Sequence, residues 1–149
     1  MELSPNTPIT VENFEPTRWP GGNPETGYMD CDAGATKSLL IDSHRKNPED
    51  PFWKLCFGLR PDTEFYDLVK DPDFIDNQPK DARVTQLREQ LHTELKQQGD
   101  PRMDGKGDVF DKYEHASPGN VGFYEKFMSG KPMKAGWINE TDIEPLRQP

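Results

Sequence analysis

The apolar positions between Asp81 and Gln98 follow one rule: Val84, Leu87, Leu91 and Leu95 recur at steps of three, four and four, which sets them in a narrow stripe along a helix. Asp81 suits the N-cap of that helix, Gly99 its C-terminal stop, and Pro101 bars continuation. A second, shorter amphipathic helix is predicted over Thr36 to Lys46, with Leu39, Leu40 and Ser43 on one side, Lys37, Asp42 and Arg45 on the other, and Pro48 ending it. Ile9 to Phe14 alternates apolar and polar before the period slips at Asn13, and predicts a short strand closed by Pro16. Phe52 to Leu59 fits helix or strand by density alone; the alternation Trp53, Leu55, Phe57, Leu59 leans towards strand. Glu64 to Val69 follows the turn signal Arg60-Pro61-Asp62 and reads as a strand.

These elements predict an α+β fold: a small antiparallel sheet packed by one main amphipathic helix, with long irregular loops. The helix from Asp81 is expected to lie on strands drawn from Phe52 to Val69. Residues 1 to 10 read as a disordered start, 11 to 100 as the compact part, and 101 to 149 as an extended tail lying along another surface, anchored by Val109, Phe110, Tyr113, Phe123, Tyr124, Phe127, Trp137 and Ile138.

Composition sharpens this picture. Hydrophobic residues make up 32% of the 149 and the formal net charge is -9, a balance at which a chain has little apolar surface to set against its ordering entropy. Fifteen Pro and twelve Gly favour turns over regular elements. The chain therefore reads as part of something, marginally stable alone, and seeking a partner surface. Its acidity argues against nucleic acid and membrane surfaces as partners. No apolar run nears the roughly 20 residues that span a bilayer. Met1-Glu2-Leu3-Ser4-Pro5 lacks the pattern of a signal peptide, which leaves the compartment open.

Cys31 and Cys56 sit in no metal-binding spacing and read as free thiols. Phosphate-loop, dinucleotide and nucleophile-elbow patterns are absent. His44, His92 and His115 are far apart in sequence and read as surface histidines. Asp100, Asp104, Gly105, Asp108 and Asp111 imitate part of a calcium loop, but Arg102 stands where a ligand oxygen is required, so a solvated acidic loop is the better reading. Asp67, Asp71 and Asp73 could supply an acid-base pair, yet turn residues bonding nearby amides account for them more simply. The loop Thr17 to Gly34, pinned by Trp19, Tyr28 and Met29, sets a cation beside an aromatic ring at Arg18 and Trp19.

The run Glu64-Phe65-Tyr66-Asp67-Leu68-Val69-Lys70-Asp71-Pro72, then Asn77 and a helix ending in Lys96-Gln97-Gln98-Gly99-Asp100-Pro101, resembles the C-terminal subdomain of the sulfatase family. There a strand of the form L-Y-D-L leads to an acidic D-P turn, an asparagine and a helix on a small antiparallel sheet. Asn13-Phe14-Glu15-Pro16-Thr17-Arg18-Trp19-Pro20, Pro24-Glu25-Thr26-Gly27-Tyr28, Gly99-Asp100-Pro101-Arg102 and Gly107-Asp108-Val109-Phe110-Asp111 resemble the bacterial N-sulfoglucosamine sulfohydrolases, or heparan N-sulfatases. The resemblance covers roughly residues 11 to 145. Phe65 stands where the family has Leu, and Gln78-Pro79 where it has Leu-Ala.

The resemblance implies a parent enzyme that hydrolyses sulfate esters or sulfamates on glycosaminoglycans. Its nucleophile is a formylglycine made from the Cys or Ser of a C/S-x-P-x-R motif, beside a divalent cation, usually calcium, held by Asp and Asn. Neither Cys31-Asp32-Ala33 nor Cys56-Phe57-Gly58 matches that motif. The expectation is a C-terminal portion without catalytic residues or metal ligands of its own, inactive alone. Its partners would be a sulfatase catalytic domain or a second copy, with sulfated glycan reached through an intact enzyme. The alternative is a non-catalytic module that docks on another sulfatase chain or binds sulfated glycan. Parent-family members are typically exported, periplasmic or extracellular. In an intact enzyme Arg18 and Trp19 would contact substrate, a cation for sulfate and a ring for a sugar face; a structural Trp with Arg stacked on it is the competing reading.

Overall fold

The computed structural model describes residues 8 to 145. The expected disordered start falls mostly outside them, although Ile9 and Thr10 belong to a strand. In chain order the elements are β1 (Ile9–Glu12), α1 (Ala35–Lys46), α2 (Pro51–Phe57), β2 (Thr63–Tyr66), α3 (Arg83–Gln97) and α4 (Phe123–Met128), with short 3-10 turns between them. The mixed helix and sheet content agrees with the α+β expectation. The chain forms two compact units, each made of two separate stretches: unit 1 holds residues up to Glu15 and Pro61–Glu114, unit 2 holds Pro16–Arg60 and the chain from His115.

Unit 1 is built on β1 and β2, paired antiparallel with Ile9 opposite Tyr66 and Glu12 opposite Thr63. Because side chains alternate across a sheet, Thr10, Glu12, Thr63 and Phe65 share one face, and Ile9, Val11, Glu64 and Tyr66 the other. Phe65 is wholly buried on the first face, beneath the Arg83 guanidinium 4.8 Å from its ring centroid. Tyr66 lies against Phe74 on the second. α3 packs on β1 and buries Val84, while Leu87, Leu91 and Leu95 are half-buried. The expected Asp81 cap acts one residue early: the helix starts after Ala82, and the Asp81 carboxylate accepts the Arg83 amide at 2.9 Å. Gly99 closes the helix at φ 72°, a left-handed turn that glycine adopts without a side-chain clash.

Unit 2 closes on Tyr28, Ile41, Trp53 and Phe57, with Trp19, Cys31 and Leu40 packed around them. The strand expected over Phe52 to Leu59 is α2. Asp50 accepts from the amides of Phe52 (2.8 Å) and Trp53 (3.1 Å), and Pro51 fits the first helical position, so capping chemistry overrides the alternation. Burial follows the helical period: Trp53 and Phe57 are inside, Leu55 and Leu59 exposed. The α1 helix forms where expected with different faces. Ile41 and Lys37 are buried, and Leu39, placed with the apolar side from sequence, is 67% exposed.

The expected extended tail is also more organised than its composition suggests. Pro101–Asp104 and Gly107–Lys112 are 3-10 turns of unit 1, and α4 belongs to unit 2 with Phe123 buried. The last described stretch lies over Gly27, where a Cβ would sit 3.1 Å from Ile138 and 3.4 Å from Ile143; glycine is what admits this approach.

Candidate functional site

Arg18 and Trp19 sit in unit 2 and differ in setting. Trp19 is half-buried against the aromatic core, edge-on to Trp53 with ring centroids 6.3 Å apart, while Arg18 is exposed. The loop that follows is firmly held. The buried Lys37 ammonium donates to the carbonyls of Tyr28 (3.1 Å) and Cys31 (2.6 Å), the Trp137 indole donates to Met29 O (2.7 Å), and Ala33 N to Trp137 O (2.7 Å). Beneath it Asp142, 1% exposed, accepts from Ser38 Oγ at 2.6 Å and lies 4.0 Å from Lys37 Nζ. Sequence reasoning missed this group because Asp142 is 104 residues from Ser38, a separation no local pattern reveals.

Of the residues that carry the sulfatase resemblance, Asp67, Asp71 and Asn77 lie in unit 1, and each makes a structural bond. Asp67 accepts from Val69 N (3.3 Å) and pairs with Arg83 (2.9 Å). Asp71 accepts from the amides of Ile75 (3.0 Å) and Asp76 (2.9 Å), the turn chemistry expected of it. The Asn77 amide runs along β2, accepting from Phe65 N (2.9 Å) and donating to Thr63 O (3.4 Å), and Gln78 N donates to Phe65 O (2.9 Å). This segment therefore does on the outer edge of β2 what a third strand would do. Arg83 joins Asp67 to Asp81 and its hydrogen bonds hold both carboxyls below the usual Asp range.

A second polar cluster, around Glu12, ties β1 to α3 in unit 1. Glu12 Oε1 takes Arg88 Nη2 at 3.0 Å and Oε2 meets His92 Nε2 at 2.5 Å. Burial pushes the Glu12 carboxyl up, but its bonds to Arg88 and His92 outweigh that and leave it lowered. His92 is thus half-buried and hydrogen-bonded to Glu12 rather than a bare surface histidine. His44 corrects the same expectation: its ring stacks on Trp53 at 3.7 Å and 5°. His115 is exposed, as expected.

The calcium-like stretch folds around its own cation. Arg102 binds Asp100 at 2.5 Å and lies between the rings of Phe14 (4.6 Å) and Phe110 (5.6 Å). Its hydrogen bond is the main cause of the lowered Asp100 carboxyl. Among the described residues no group of three or more His, Cys, Asp or Glu is placed to hold a metal ion, and no helix is long and apolar enough to cross a membrane. Cys31 and Cys56 are free thiols.

No protein-family model, curated protein or solved structure matches this chain.

Proposed function

We propose that the chain is the C-terminal portion of a sulfatase acting on sulfated glycans, of the heparan N-sulfatase kind, and serves a separate catalytic domain without catalysing hydrolysis itself. The reading rests on the residue pattern from Glu64 to Pro101. What supports it is the use the fold makes of that pattern: Asp67, Asp71 and Asn77, the distinctive residues of the run, each make a bond that shapes the strand, the turn or the strand edge. Residues spent in this way have a structural role rather than an acid-base one.

The formylglycine and the divalent cation would come from the catalytic domain, since the sequence holds no C/S-x-P-x-R motif. Without a covalent nucleophile, the remaining polar groups have no route to sulfate transfer. Reading the DNA immediately upstream in the same frame tests the proposal. A C/S-x-P-x-R motif followed by an α/β domain is expected; an unrelated reading frame there, together with no binding of the chain to any sulfatase catalytic domain, would refute it.

A further inference from the structure

Three buried polar atoms that have no hydrogen-bond partner among the described residues belong to side chains lining one cavity: His44 Nδ1, Trp53 Nε1 and Glu144 Oε1. The cavity lies wholly within unit 2 and measures about 240 Å³. Glu144 is fixed in its wall from two directions. Its amide donates to Pro24 O at 3.0 Å, and Arg45 donates to the carbonyls of Thr141 (2.8 Å) and Ile143 (3.2 Å) just before it. Arg45 Nε lies 3.3 Å from Glu144 Oε1, near enough to balance its charge but not aligned as a hydrogen bond. Trp53 is 8% exposed and carries the His44 ring stacked on it at 3.7 Å. A buried donor or acceptor left without a partner is destabilising, and three of them around one space point to an occupant.

The lining sets the chemistry of that occupant. An indole N–H only donates, a carboxylate only accepts and an imidazole nitrogen does either, so the occupant must accept and donate at neighbouring points. It needs no charge of its own, because Arg45 and Glu144 answer each other. The rest of the wall is apolar: the Tyr28 ring, Pro24, Pro48 and Pro145. Water alone meets this lining poorly. Each water takes about 30 Å³ and needs roughly two to four polar partners, so the space has room for more waters than three open atoms can anchor. We propose that the cavity is a binding site for one neutral sugar ring, whose adjacent hydroxyls both donate and accept and whose C–H surface packs on Tyr28 and the prolines. The site asks for no sulfate, since Arg45 is already committed to Glu144, Asp42 and two carbonyls, and the inference stands apart from the sulfatase reading.

The test is a titration of the full chain with glucose, galactose and mannose in turn, read at the tryptophan indole N–H signals by nuclear magnetic resonance, with glycerol at equal osmolality as the control. The Trp53 signal is expected to shift saturably with at least one hexose, with a dissociation constant in the millimolar range that suits so small a ligand. The Trp137 indole, bonded to Met29 O, should not move. Glu144→Gln should weaken binding about tenfold with the circular dichroism unchanged. His44→Phe keeps a ring on Trp53 but removes Nδ1, and reads the same point should Glu144→Gln disturb the fold. No saturable shift with any of the three hexoses, which would leave ordered water alone in the cavity, an equal shift with glycerol, or unchanged affinity in both variants would each overturn the proposal.

Discussion

Unit 2 closes on four buried side chains, three of them aromatic, whereas unit 1 buries Phe65, Tyr66 and Val84 and places charged clusters around them. In unit 2 the polar groups that lie deep, Lys37 and Asp142, fasten a loop and the last described segment to α1. In unit 1 Asp67, Arg83 and Asp81 join the end of β2 to the start of α3, and Glu12, Arg88 and His92 join β1 to its middle. Half-exposed ion pairs contribute little each. Unit 1 therefore depends more on its backbone bonds, and unit 2 on packing.

The largest effect should come from the unit 2 core. Trp53→Ala removes the ring against which His44 stacks and Trp19 abuts, and should cost about 3–5 kcal/mol, read as a fall in the urea midpoint with loss of near-ultraviolet dichroism. Equal stability of mutant and wild type would mean the aromatic cluster does not hold unit 2 together. Asp142→Ala should cost about 3 kcal/mol by leaving a buried ammonium without its carboxylate. Lys37→Met combined with Asp142→Leu should not recover that loss, since the carbonyls of Tyr28 and Cys31 lose their donor and Ser38 Oγ its acceptor.

Unit 1 should answer more weakly to single changes. Asn77→Ala leaves Phe65 N without its acceptor and should cost about 1–3 kcal/mol, with faster amide exchange confined to β2 and its flanks. The smallest effect is one of pH. Asp67 and Asp81 are lowered in the folded chain, so the stability they contribute is present above the unfolded Asp value near 3.9 and is lost as pH falls through the folded values. Urea midpoints between pH 5 and pH 2 should fall more steeply for wild type than for Arg83→Gln. Parallel curves would remove Arg83 from the account.

Local signals were legible wherever a segment decides its own structure. The steps of Val84, Leu87, Leu91 and Leu95 foretold α3, Ile9 and Val11 foretold β1, and the turn roles of Asp67 and Asp71 followed from their residue type. The strand reading of Phe52 to Leu59 failed because Asp50 and Pro51, which start α2, carry more weight than alternation in a short apolar run. The faces of α1 were misread for another reason: Lys37 counts as polar by type, but it is buried because two carbonyls and Asp142 surround its ammonium. The interleaving of the two units had no local signature at all. It is set by where residues 61 to 114 pack, which is a tertiary fact.

The most direct test of the proposed function measures sulfate release from N-sulfated glucosamine in the presence of calcium. Three samples are needed: the purified chain, an isolated heparan N-sulfatase catalytic domain carrying formylglycine, and the two together. The account predicts no turnover by the chain alone, and a stable complex whose turnover or thermal stability exceeds that of the catalytic domain by itself. Turnover by the chain alone that survives removal of host sulfatase, or a catalytic domain that neither binds the chain nor changes in its presence, would contradict it.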